Sequence, residues 1–113
     1  VFDDVKDNFT IMKEEPFGPL VPILTFKTFD EVIERANDND LGLCSYLYTN
    51  SMDKAHIGSE KLESGCVAVN TGVVAIAEAP FGGIKQTGYG REGGSGAIKD
   101  YLNVKYTHMG LKI

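Results

Sequence analysis

The chain has 113 residues, 42% hydrophobic and 24% charged, with a net charge of −5. That is the size of one domain with enough apolar content to fold, and an acidic surface repels phosphate backbones, so no nucleic-acid partner is expected. Apolar runs such as Leu20–Leu24 are far too short to cross a bilayer, and Val1-Phe2-Asp3-Asp4 lacks the apolar stretch of a secretory signal, so no membrane is expected and the cytoplasm is.

In chain order, residues 1–19 are polar and end in Pro16 and Pro19, which predicts irregular chain with a short strand near Phe9–Met12. Asn8-Phe9-Thr10 has the form of a glycosylation sequon, a chance match without a secretory signal. Leu20–Phe26 is nearly all apolar and predicts a strand buried on both faces. Thr28 and Glu31 have the spacing of a capping box, with Val32, Ile33 and Ala36 following at helical intervals, so a helix should run from Phe29 to Asn37. Cys44–Tyr48 reads as a second strand. Ser51 can cap a helix over Met52–Leu62, although Gly58 inside it costs about 1 kcal/mol relative to alanine. Gly65 suits the residue just past that helix, and Cys66–Val69 a third strand. Strands alternating with helices predict the α/β class with parallel strands.

Seven of the 13 glycines lie between Gly82 and Gly96, so residues 70–96 should form a long Gly-rich loop with one short helical turn. Asp100–His108 alternates again and reads as a terminal strand that needs an edge from another domain or subunit.

Few residues suggest chemistry on their own. Cys44 and Cys66 are the only cysteines, with too few nearby histidines for zinc, and each falls in an apolar strand where a thiol is a small hydrophobe. They fit free thiols in a reducing compartment. His56 and His108 have no triad partners in the pattern. Gly88-Tyr89-Gly90-Arg91-Glu92-Gly93 satisfies GxGxxG but follows loop rather than strand, so its glycines are read as sites of positive φ and close packing. The turn Glu14-Glu15-Pro16-Phe17-Gly18-Pro19 could hold a carboxylate and a phenyl ring rigidly for a ligand with hydroxyls and a flat ring. It could equally be an ordinary turn with solvated glutamates.

Glu15-Pro16-Phe17-Gly18-Pro19 resembles a turn of the aldehyde dehydrogenases. Gly65–Asn70, Ala79–Lys85, Gly88, Gly90-Arg91-Glu92-Gly93, Asp100-Tyr101-Leu102 and Lys105-Tyr106 follow in that family's order. The resemblance implies a C-terminal segment of the catalytic domain: a three-layer αβα parallel-sheet segment over 1–70, a substrate-side loop region over 71–99, and an oligomerisation strand with tail over 100–113. It implies NAD or NADP as cofactor, with Glu15 on the ribose hydroxyls beside the nicotinamide and Phe17 near the nicotinamide ring. Residues 71–81 would line the aldehyde entrance, with Phe81 as a wall. Asn70-Thr71-Gly72 and Gly90–Gly93 look most like the succinate-semialdehyde branch, although Ala75 stands where that branch commonly has a substrate-holding serine. Glutarate semialdehyde is the alternative substrate. The reactive cysteine and base glutamate would lie before Val1, so this chain alone should be inactive. Its partners would be the aldehyde, the rest of the same enzyme and further copies of it. An inactive assembly module and an acylating reductase are the competing readings.

Overall fold

The computed structural model describes residues 1–112. Helix α1 spans Phe29–Asn37. Thr28 Oγ1 accepts the Glu31 N–H at 3.2 Å, while the Glu31 carboxylate turns back to accept the Lys27 N–H at 2.8 Å. The predicted capping box is therefore present, with its return bond set one residue earlier. That Lys27 bond is the main reason the Glu31 carboxyl sits below its usual 4.5, with smaller help from the Thr28 N–H and Arg35. Arg35 fixes the helix to the chain before it, donating to the Thr25 carbonyl at 2.9 Å and to Asp7 at 2.8 Å.

The strands form two separate two-stranded sheets. Strands β1 (Leu41–Gly42) and β4 (Ile84–Lys85) are antiparallel; β2 (Cys44–Leu47) and β3 (Cys66–Val69) are parallel, Cys44 opposite Cys66 and Leu47 opposite Val69. Helix α2 (Met52–Lys61) connects β2 to β3, with Ser51 Oγ accepting the Lys54 N–H at 3.3 Å as its cap. It packs on β2 and β3 and against α1. Gly58 explains the glycine inside this helix: a Cβ there would come within 2.6 Å of Leu47 and 3.3 Å of Phe29. The lost helix propensity is offset by close approach of three elements. Val5, Ile33 and Ala68 are the buried apolar residues, so the core is thin.

Several expectations are corrected. The residues near Phe9–Met12 form a 3-10 turn, Thr10–Met12, not a strand. Leu20–Phe26 is not a buried strand. Phe2 alone brackets it, through Phe2 N–H to Val21 O at 2.8 Å and Ile23 N–H to Phe2 O at 2.7 Å. Pro22, at the centre, has no N–H to offer, and Leu20, Val21, Ile23 and Phe26 are all exposed. Gly65 does not end α2, which closes at Leu62 in extended conformation. It is required instead by the backbone of Gly82, whose oxygen would lie 1.9 Å from a Cβ at 65. Helix α2 covers the parallel pair and α1 lies against α2.

The 70–96 loop contains β4, and its helical turn falls later, at Ala97–Tyr101. Beyond that turn, residues 102–112 are extended and exposed without strand pairing among the described residues, so the terminal strand is not formed within this chain. The molecule extends 79 Å along its longest axis, and the radius of gyration is 19.7 Å, against about 13 Å for a compact chain of this size. No helix among the described residues is long and apolar enough to cross a membrane.

Candidate functional site

An open groove of about 1440 Å³ lies between three stretches: 11–16 on one lip, 36–45 along the floor, and 85–89 on the opposite wall. The first lip is shaped by local turns. Glu14 N–H donates to Thr10 O at 2.9 Å, and Gly18 N–H to Pro16 O at 3.0 Å, so the two glutamates are presented by a short reversal of chain.

The opposite wall is tied to the floor by Lys85. This residue has a φ of 55°, uncommon for a side chain larger than glycine. Its Nζ donates to Asn37 O at 2.8 Å and Asn39 O at 2.9 Å, just where α1 ends, and pairs with Glu63 at 2.6 Å. A cation there satisfies the orphan carbonyls of the helix end. Gln86 N–H to Asp40 O at 2.9 Å and Gly42 N–H to Thr87 Oγ1 at 2.8 Å complete the attachment.

The glycine-rich stretch behaves as the sequence suggests. Gly88, Gly90 and Gly93 all have positive φ, and a Cβ at Gly93 would stand 2.7 Å from the Ala79 carbonyl. Arg91 staples the stretch to itself, donating to Gly83 O at 2.8 Å and Gly90 O at 2.7 Å.

Of the four residues singled out from the sequence, only Glu15 lines the groove. It is exposed, and its carboxylate makes no ion pair among the described residues. Phe17 projects into solvent at 96% exposure and lies off the groove. Ala75 is exposed, while Phe81 is half-buried and bridged to Glu92 by backbone bonds of 2.7 and 2.8 Å. The structure therefore does not gather these four into one pocket. Lys85 was not anticipated; a lone lysine between Gly-Gly and Gly in a turn was its only signal.

The chemistry available in the groove is that of acceptors. Glu14 and Glu15 offer carboxylates, and Lys85 is already engaged by three partners. Cys44 lines the floor, but burial, and then the adjacent Cys66 sulfur, push its thiol above the usual range, which disfavours the nucleophilic thiolate. Among the described residues no group of three acidic, cysteine or histidine side chains could hold a metal ion.

The sequence model of the Aldehyde dehydrogenase family matches residues 1–107. The mitochondrial succinate-semialdehyde dehydrogenase of Arabidopsis thaliana is 46% identical over 110 residues, 97% of this chain and 21% of that protein. The glutarate-semialdehyde dehydrogenase of Pseudomonas aeruginosa is 46% identical over 107 residues, 95% of this chain and 22% of that protein. Among solved structures, the NAD+ complex of an aldehyde dehydrogenase from Bacillus cereus superposes with a TM-score of 0.88 at 47% identity, over 91% of this chain and 21% of that one. The chain thus spans about a fifth of the length of the curated relatives it matches. The aldehyde dehydrogenase catalytic-domain fold fits this architecture, and the chain belongs to the aldehyde dehydrogenase family.

Proposed function

We propose that this chain serves as the C-terminal part of an NAD(P)-dependent aldehyde dehydrogenase that oxidises a short semialdehyde, succinate semialdehyde before glutarate semialdehyde, to its carboxylic acid. The observation that carries this reading is Glu15: an exposed carboxylate without an ion pair, on the lip of an open groove. A carboxylate accepts two hydroxyl hydrogen bonds at once, and the charge roughly doubles their strength, so the lip fits the ribose of a pyridine nucleotide. When bound, the nicotinamide accepts hydride from the substrate carbon.

The chain's own part is to position. Glu15 fixes the ribose; Phe17, which stands off the groove in this chain, is placed beside the nicotinamide by the family resemblance alone. Phe81, held by its backbone bridge to Glu92, forms a wall for the aldehyde. Hydride transfer needs reacting atoms roughly 3–3.5 Å apart, so such placement is part of catalysis. The cysteine that adds to the aldehyde, and the glutamate that activates water to cleave the resulting thioester, come from another part of the enzyme. Ala75 lacks a hydroxyl that would hold a substrate carboxylate, a difference of about 1.5–3 kcal/mol, which is why the glutarate homologue is kept as the alternative.

In the complete enzyme, Glu15→Gln should raise the KM for NAD(P) and lower kcat, with kcat/KM falling about tenfold, the loss of one charged hydrogen bond. Unchanged cofactor affinity and turnover would remove Glu15 from this role.

A second reading, an inactive assembly or binding module, is favoured by the half-buried state of both cysteines. The 113-residue chain alone should give no NAD(P)H absorbance with NAD(P) and succinate semialdehyde under either reading; oxidation of the aldehyde by the complete protein is what separates them.

A further inference from the structure

We infer that Cys44 and Cys66 form a cross-strand dithiol that closes reversibly to a disulfide on exchange with a low-mass disulfide such as oxidised glutathione. The two residues are direct partners at the start of the parallel pair β2–β3. Side chains of in-register partners leave the sheet on the same face. Neighbouring strands lie about 4.8 Å apart, inside the roughly 4.4–6.8 Å between Cα atoms that a disulfide bridges. Burial first, and then the neighbouring Cys66, raise the Cys44 pKa, consistent with two thiols side by side. Both residues are free thiols and neither is fully buried. Cys44 also faces the open groove, which gives a small reagent a way in.

Thiol–disulfide exchange proceeds by thiolate attack on a disulfide sulfur. Exchange can begin at either thiol; in one of the two orders it begins at Cys66. Its thiolate bonds to one sulfur of oxidised glutathione and expels the other as glutathione thiolate. Cys44 then loses its proton to solvent, attacks Cys66 Sγ in the mixed disulfide, and releases the second glutathione. Two protein thiols are oxidised and one glutathione disulfide is reduced to two thiols.

Closure would be felt beyond the strands. Cys66 Sγ donates to Gly82 O at 3.7 Å, and Gly82 follows Phe81 directly. Oxidation removes that S–H donor and alters the turn that carries the proposed substrate wall. The bridge itself needs neither cofactor nor aldehyde, so it stands or falls apart from the functional reading above.

The test is equilibration of the purified native protein in glutathione redox buffers, followed by acid quench, alkylation and tryptic mass spectrometry. Peptide 36–54 should appear linked to peptide 62–85, and the link should vanish on reduction. Cys44→Ser should instead retain a glutathione adduct on Cys66. The closure constant should be at least about tenfold higher in the native protein than in urea, equivalent to about 30 mV for this two-electron couple. Two free thiols, a persistent mixed disulfide in the wild type, or a constant no greater than in urea would each overturn the proposal.

Discussion

Residues 28–70 and residues 102–112 carry similar densities of apolar side chains and meet opposite fates. In the first stretch, Leu47 and Phe29 close on Gly58, and Ile33 and Ala68 are buried. In the second, Leu102, Val104, Tyr106, Met109 and Leu111 all stay exposed. The difference is the distance to a partner. A strand, helix and strand in succession close their own hydrogen bonds within some 25 residues, β2 reaching β3 across α2. A single extended segment closes none until an edge is brought to it.

Substitutions in the two stretches should separate them sharply. The largest effect belongs to Gly65→Ala, where a Cβ would collide with the backbone of Gly82 and Gly83 and no flexible side chain can yield. It should cost about 3 kcal/mol or more, at the upper end of overpacking, read as a shift of the urea midpoint. Thr28→Ala removes the cap of α1 and should cost about 1 kcal/mol in the same measurement.

A smaller effect comes from acid. Glu31 has a lowered pKa in the folded chain, chiefly from the Lys27 N–H. Its contribution is therefore fully present above the ordinary glutamate value of 4.5 and is lost as pH falls through the lower folded value. Urea midpoints of wild type and Glu31→Gln should converge over that window. Val104→Asp, in the exposed tail, should move the midpoint least, by about 0.5 kcal/mol or less. The same change should weaken self-association of the complete protein in sedimentation if this segment joins a neighbouring sheet.

The same contrast decides what could be read from the sequence. Helix α1, its Thr28 cap, helix α2 with Ser51, and the strands at Cys44 and Cys66 were legible because periodicity and capping chemistry are local. The family resemblance was legible too, since its motifs recur in order along the chain. Leu20–Phe26 misled because an apolar run states only that burial is wanted, not what supplies it. Gly65 misled because its position after a helix fitted a cap, while its true constraint, the approach of Gly82, comes from 17 residues away. Glu15 drew notice in the sequence for its place in the Pro-Phe-Gly-Pro turn, and the structure puts it on the groove. Its separation from Phe17, Ala75 and Phe81 was not, since position along the chain carries no record of which surfaces meet. The pairing of Cys44 with Cys66 depended on register, which two short apolar runs do not specify.

The Lys85 ammonium, clasped by the last carbonyl of α1, the Asn39 carbonyl just beyond it and Glu63, makes the two sides of the groove unequal. Its floor and far wall are riveted into one block, whereas the lip bearing Glu15 hangs on bonds that close within its own few residues.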